Sequence, residues 1–267
     1  FCVVPYTRGA EYSRSISEIK EEVYSLTEQG VCEVTLLGQN VNSWHGEDTK
    51  GNTKGLAHLI FEISNIEKIK RIRYTTSHPL DMDQDLILAH KSIKKLMPYL
   101  HLPVQSGSDK ILNSMNRKHT AKQYIQIIDK IRKVNPDIAL SGDFIVGFPG
   151  ESEKDFNDTI ELIKIVEYAQ SYSFKYSTRP GTPASVLDQQ IPENIKKKRL
   201  SILQEVLFSQ QSKFNSKFVG KTVDVLIEKN GGRENQIMGR SQYMQSVYMN
   251  HNVGRVGEIK KIEVSHA

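Results

Sequence analysis

Ser141-Gly142-Asp143-Phe144-Ile145-Val146-Gly147-Phe148-Pro149-Gly150-Glu151 decides how this chain is read. An apolar run carrying one carboxylate leaves into a Gly-Pro-Gly turn. Ser152-x-x-Asp155 then resembles a capping box, with Asp in place of Glu or Gln, and opens an apolar stripe at Phe156, Ile160, Ile163 and Val166. The stretch therefore predicts strand, turn and helix in that order. The same alternation extends outward over residues 1–211. Further short apolar strands are expected at Glu33–Leu37, Arg71–Thr75, Tyr99–Leu102 and Tyr172–Tyr176, with the central strand at Ile138–Ile145. Two more amphipathic stripes run through Ile16, Ile19, Val23 and Leu26, and through Tyr124, Ile127, Ile128, Ile131 and Val134.

Strand–helix alternation implies right-handed βαβ units and a largely parallel sheet, either doubly wound or curled into an open barrel. Polar residues follow every strand: Gln39 and Asn40, Ser77 and His78, Gln105 and Ser106, Gly147, then Ser177 and Arg179. Residues at the C-terminal ends of all strands converge on one mouth in a β/α barrel. The expected fold is thus α/β, an open, partial β/α barrel. A long helix, Pro192–Phe218, leads out of it. Beyond Gly220 the pattern alternates with period two, with strands at Thr222–Glu228, Ile237–Ser241, Ser246–Met249 and Glu258–Val264. This reads as a small antiparallel β-barrel of OB-like size, and the division expected is 1–211 and 212–267.

Composition bounds the rest. A hydrophobic fraction of 38% and a charged fraction of 25% in 267 residues describe a soluble globular chain, and two cysteines argue against a disulfide framework. No apolar run approaches the roughly 20 residues needed to span a bilayer. A reducing, cytoplasmic setting without membrane contact is expected. Residues 212–267 hold nine Lys/Arg against five Asp/Glu, so most of the formal net charge of +5 sits there. Such a basic unit suits a polyanion, or simply a soluble surface.

Several segments invite chemistry, each with a plainer reading beside it. Cys2 lies in the polar, turn-rich Phe1–Arg14 with Arg8 and Arg14; cations lower a thiol pKa and suit a metal ligand, although a lone Cys is more often core. Cys32, at the start of a strand, reads as structural. Gly38-Gln39-Asn40 offers a close backbone approach and amides that both donate and accept, or an ordinary Asx turn. Gln105-Ser106-Gly107 precedes a helix start whose N–H groups could hold a carboxylate. His101, between Leu100 and Leu102, reads as a satisfied core histidine. Asp143 could bind ribose hydroxyls or serve structure, and Gly147 and Gly150 would let a flat base lie on the backbone. Trp44, the only tryptophan, could stack on a base or anchor its loop. There is no P-loop, His-Glu-x-x-His or nucleophile elbow.

Taken together, Cys2–Arg14, Leu36–Trp44, Thr75–Pro79, His101–Arg117, Ser141–Glu151 and Tyr172–Ala184 make the chain resemble the MiaB-like methylthiotransferases, radical S-adenosylmethionine enzymes. The C-terminal unit resembles a TRAM domain, an RNA-binding β-barrel. The resemblance implies a [4Fe–4S] cluster on C-x-x-x-C-x-x-C, with Cys2 as its third cysteine, and S-adenosylmethionine bound to the open iron and cleaved to a 5′-deoxyadenosyl radical. It further implies that Gly38, Gln39 and Asn40 flank the methionine amine. Gln105 and Ser106 would reach carboxylate and ribose, Asp143 the ribose, and Gly147 with Ser173–Tyr176 the adenine. Arg8, Arg14, Trp44, Lys221, Arg233 and Arg240 are the expected RNA contacts.

Val3–Gly9 with Gly38–Asn42 looks like the tRNA branch, which methylthiolates C2 of an isopentenylated adenosine in the anticodon loop. An electron donor such as flavodoxin or ferredoxin is implied. Phe1 opens the chain without a Met, so a fragment is expected. It would lack the first barrel strand, two cluster cysteines and the family's N-terminal domain with a second [4Fe–4S] cluster. It would end short of a complete TRAM unit, and it would be inactive alone. The competing readings are an RNA-binding remnant and the ribosomal-protein branch.

Overall fold

The computed structural model describes residue 9 and residues 12–267; Cys2 and Arg8 lie outside the described residues. Parallel strands β1 (Glu33–Leu37) and β4 (Arg71–Thr75) pair in register, as do β5 (Tyr99–His101), β6 (Ala139–Val146) and β7 (Gln170–Lys175). A single parallel bridge, Ile72 to Leu96, joins the two groups, so the strands follow one arc in chain order. Five parallel strands in one arc make the expected open half-barrel. One face of each strand, including Leu100, Leu102, Leu140, Phe144 and Val146, is fully buried against the helices. The other face lines the concave side.

The outer layer is built by α1 (Ile16–Glu28), α2 (Leu56–Ser64), α3 (Gln84–Ser92), α4 (Asp109–Ser114), α5 (Ala121–Val134) and α6 (Glu153–Val166). Local sequence starts them. Ser15 with Glu18, Thr120 with Gln123 and Ser152 with Asp155 each form reciprocal capping boxes, the last as read from sequence. Helices α2 and α3 escape the amphipathic reading because each is only nine residues long, although α2 buries Leu56, Leu59, Ile60 and Ile63 at helical spacing. A small hairpin, β2 (His45–Glu47) with β3 (Thr53–Gly55), also lies where sequence reading gave only a loop.

Helix α7 (Glu193–Ser216) packs beside α6 in the outer layer, with Leu203 and Leu207 in the main core, and delivers the chain to β8 (Thr222–Asn230), β9 (Gln236–Ser241), β10 (Ser246–Asn250) and β11 (Ile259–Glu263). These four antiparallel strands, ordered β10-β9-β8-β11, curl into a half-barrel around Val223, Val225, Ile227, Ile237 and Met249.

The curled unit plugs the bottom of the parallel barrel, where the strands begin. Phe214, Tyr243 and Met244 pack on Tyr99, Ala139 and Ala169. Beside them Arg71 and Arg73 point into the barrel floor. Arg71 donates to the carbonyls of Arg240 (3.0 Å) and Asp224 (2.7 Å), and Arg73 to those of Gln242 (3.1 Å) and Ser241 (2.9 Å). Glu33 of β1 balances them, 3.1 Å from Arg73 and 3.6 Å from Arg71. Both arginines are only 3% exposed, and burial foremost lowers the Arg71 pKa from its ordinary value.

Removing one partner of a buried, hydrogen-bonded charge cluster costs about 3–5 kcal/mol. Arg73→Ala is therefore expected to lower stability by that order and to make residues 217–267 protease-sensitive before the core. Denaturant titration and limited proteolysis check this; an unchanged midpoint with intact protection would contradict the floor assignment.

Candidate cofactor site at the mouth of the half-barrel

At the opposite end, the loops after the strands converge. After β1, Asn40 donates from Nδ2 to Asp81 (2.6 Å), and Asn42 clamps the loop after β4 through two bonds with the His78 backbone, each 2.8 Å. The Val41 N–H donates to the Thr76 carbonyl (2.8 Å). These loops leave buried Asn40 Oδ1 and Ser77 Oγ without partners, and both ring nitrogens of His119, in the connection before α5, are likewise unpartnered. His78 and His119 meet edge to face at 5.6 Å. Each orphaned group costs about 1–3 kcal/mol if nothing binds it. Such a cluster at a barrel mouth fits a polar ligand of several donors and acceptors, as S-adenosylmethionine is.

Gln105 is held at φ +79°, a conformation uncommon outside glycine. Its N–H donates to the Asp143 carbonyl (3.0 Å), and its own carbonyl accepts from Ile145 (3.0 Å). The turn is thus stitched to β6, and Gln105 and Asp143 are brought together.

Ser106 is not at the mouth. Its hydroxyl is fully buried against Thr159 (3.1 Å) and accepts from the Ser108 N–H, while Thr159 Oγ1 accepts from the Gly107 N–H (2.9 Å). The expected carboxylate cradle is therefore already satisfied by α6. A Cβ on Gly107 would lie 2.4 Å from the Asp158 carbonyl oxygen, so glycine serves helix packing there. Ser108 donates to Asp155 (2.6 Å). Burial pushes the Asp155 carboxyl up, but the bonds from Ser108 and Ser152 outweigh it and hold the group well below the usual carboxylate range.

Asp143 and His101 lie on the concave face. Leu100 and Leu102 flank His101 in sequence but point the other way, so the core reading of His101 is corrected: it faces the cup. Gly147 sits at φ +70°, and its Cβ position is filled by Lys196, whose Cγ would be 2.4 Å away. The Lys196 side chain of α7 packs against that side of the turn. The Gly147 N–H donates to Glu151 (2.7 Å), which pairs with Arg199 at 2.7 Å. Burial foremost raises the Glu151 pKa, against Gly147 and Arg199. This buried pair escaped sequence reading, because Lys196–Lys198 and Arg199 look like a solvated helix face.

The expected RNA contacts divide. Arg14 is ion-paired with Glu22, and its carbonyl accepts from Trp44 Nε1–H (3.2 Å). Trp44 packs against the core, which makes it a loop anchor. Arg240 is turned inward to the Met244 carbonyl (3.1 Å) and Glu228 (3.6 Å). Lys221 and Arg233 are exposed. A cleft of about 890 Å³ on the open side of the curled sheet is lined by Arg233, Ser246, Tyr248 and His266.

Comparison with known proteins agrees with this architecture. Residues 1–163 match the Radical SAM superfamily and residues 216–267 the TRAM domain. The chain belongs to the Radical SAM superfamily, and it carries a TRAM unit. It is 54% identical over 265 residues to tRNA-2-methylthio-N(6)-dimethylallyladenosine synthase of Agrobacterium fabrum (strain C58 / ATCC 33970), covering 99% of this chain and 58% of that protein. Methylornithine synthase shares the fold with a TM-score of 0.51 at 15% identity, over 78% of this chain and 58% of the other. Coproporphyrinogen III oxidase from Escherichia coli, described as a radical SAM enzyme, does so at 0.50 and 14%, over 74% and 45%.

Superfamily membership implies S-adenosylmethionine and a [4Fe–4S] cluster. The orphaned polar atoms fit the former. Among the described residues no group of three His, Cys, Asp or Glu could hold a metal, and Cys2 lies outside them. Among the same residues no helix is long and apolar enough to cross a membrane.

Burial lowers the pKa of His90 and of His119 to about 4. Both are neutral in the fold and gain protons more readily when unfolded. Stability is therefore full above pH 6.5 and falls as pH drops toward 4, by on the order of 3 kcal/mol for each. His119→Gln should flatten this slope in urea midpoints taken from pH 7 to 4. An equally steep slope would show that His119 does not titrate so.

Proposed function

We propose that this chain forms the radical S-adenosylmethionine core and the TRAM unit of an enzyme that adds a methylthio group to C2 of N6-isopentenyl-adenosine at position 37, next to the anticodon of tRNA. The observation that carries this is 54% identity maintained over 265 residues, through both units at once. The geometry supports it: one polar mouth, a closed floor, and exposed cations on the curled sheet. Residues 1–211 serve as the core and 212–267 as the RNA-binding unit.

In this reading Asn40 and Gln105 orient the amino-acid end of the cofactor, and Asp143 accepts hydrogen bonds from its ribose. Gly38 and Gln39 lie beside the amine, and Gly147 keeps α7 close to the cup. Ser106 acts by fixing the turn that presents Gln105. The cluster, with Cys2 among its ligands, supplies when bound the electron for cofactor cleavage. Flavodoxin or ferredoxin would deliver that electron, in the cytoplasm. A second cluster belongs to the longer parent. Lys221 and Arg233 neutralise phosphates, so binding weakens with salt.

The test is an exchange. The chain replaces its matching 265 residues in the Agrobacterium protein, and the hybrid is expressed in cells lacking that protein. Mass spectrometry of tRNA nucleosides should show the 2-methylthio form restored. Isopentenyl-adenosine accumulating with no methylthio product, from a soluble hybrid, would count against the reading. The chain alone is expected to take up iron far below four per molecule on anaerobic reconstitution; stoichiometric iron with cofactor cleavage would overturn its inactivity in isolation.

A further inference from the structure

The concave face holds a chain of polar groups that the cofactor reading does not use. Parallel register places His101 beside Ser141, and Asp143 beside Tyr172. Paired residues in a parallel ladder point to the same face, so these side chains gather inside the cup. Ser141 Oγ, fully buried, is 3.0 Å from His101 Nδ1. With Ser141 donating to Nδ1, the imidazole proton sits on Nε2. That atom faces Asp143 Oδ1 at 3.6 Å. Tyr172 meets the other side of the ring edge to face at 6.1 Å, and Gln170 donates to the Tyr172 hydroxyl (2.9 Å). The imidazole is therefore fixed on both sides, with one N–H aimed at one carboxylate.

The gap is too long for a hydrogen bond and short enough to close with a small rotation. Such pairs often tighten only when a ligand arrives. His101 side-chain exposure is 12% and that of Asp143 is 26%, so the carboxylate is the group a ligand meets and the histidine stands behind it.

We propose that His101 is a positioning residue. Held by Ser141 and Tyr172, it orients Asp143 so that its free oxygen lone pairs accept both hydroxyls of a vicinal diol. This rests on the cofactor reading above and names its recognition element, a ribose with free 2′ and 3′ hydroxyls. An internal RNA nucleotide cannot present that diol, because its 3′ oxygen is esterified. The pair thus selects the nucleoside cofactor over the substrate strand.

The experiment is calorimetric binding to the chain. Its probes are S-adenosylhomocysteine, the counterpart lacking both ribose hydroxyls, and a short single-stranded RNA. His101→Leu is expected to weaken S-adenosylhomocysteine about tenfold, the size of one hydrogen bond to a charged group. His101→Gln keeps a donor near the Nε2 position and should recover most of that loss. Neither variant should change binding of the dideoxy counterpart. His101→Leu added to Asp143→Asn should cost nothing beyond Asp143→Asn alone.

Equal weakening of both nucleosides, additivity with Asp143→Asn, or no effect of His101→Leu overturns the inference. So does a loss confined to the RNA. If His101→Leu does not fold, His101→Gln and Asp143→Asn across the two nucleosides still decide. Wild-type chain that binds neither nucleoside would bring down the cofactor reading itself. Wild-type binding without the predicted pattern brings down only the role of His101.

Discussion

Two buried guanidinium groups hold this molecule in its shape. Arg71 and Arg73 occupy consecutive inward positions of β4, where a closed barrel would place apolar side chains. Stripping water from two cations is costly, and Glu33 neutralises only one charge. The balance comes from four carbonyl oxygens of the curled sheet, each accepting a charge-assisted bond between 2.7 and 3.1 Å. Arginine suits this because its fork spreads five donors in one plane, and lysine does not. The carbonyls come from Asp224, at the start of β8, and from Arg240–Gln242, where β9 turns. The side chains on that turn are thereby free to pack, and Tyr243 does so against Phe214 and Phe218.

Closing the floor decides where chemistry can occur. A half-barrel has two ends and an open side. The curled unit fills the N-terminal end, and α7 packs outside beside α6 through Arg199 and Leu203. What remains is the C-terminal mouth and the concave wall leading to it. Thr76 and Gln105 both hold positive φ, and the orphaned atoms of Asn40 and Ser77 lie in the same group of loops. Unsatisfied polar atoms beside a strained backbone suit a binding site; others lie elsewhere, at Glu33 and His90, as do positive φ values at Glu167, Asn235 and Met244.

Much of this was legible in the sequence, for reasons that also explain the rest. Parallel strands sandwiched by helices must be apolar on their covered face, so Glu33–Leu37, Arg71–Thr75 and the strand ending at Val146 announce themselves. Period-two alternation likewise exposes the C-terminal sheet. The capping box at Ser152 marked one helix start, while those at Ser15 and Thr120 were found only in the structure. Helices α2 and α3 did not show because nine residues give only about two and a half turns in which to read a stripe. The site was legible by region and not by atom. Gln105 and Asp143 are joined through their backbones, while Ser106 and Gly107 bond to Thr159, about fifty residues away in sequence. His101 looked like core because its neighbours are leucines, although alternation sends neighbours to opposite faces. Arg71, Arg73 and the Glu151–Arg199 pair were invisible as buried groups. Charge reads as surface until a partner distant in sequence is known.

The separation of floor from mouth sets a length scale. The eight residues of β6, at roughly 3.3 Å each, run about 26 Å from one to the other. Lys221 lies near the floor, lining a cleft with Arg132, Asp137 and Lys217 just below the start of β6. A polyanion engaged by Lys221 and also entering the mouth must reach across that distance. A free nucleoside cannot do so. A folded stem with its loop can, because a helical stem advances a few ångströms per base pair and carries phosphates along its whole length. Under the function proposed above, a rigid floor would let cations fixed at one end of the barrel favour ligands whose target group lies a set distance from their phosphates. Sequence-independent contacts at the floor can thereby contribute to selection at the mouth, provided the two ends do not move relative to each other. The four carbonyl bonds of Arg71 and Arg73 supply that condition.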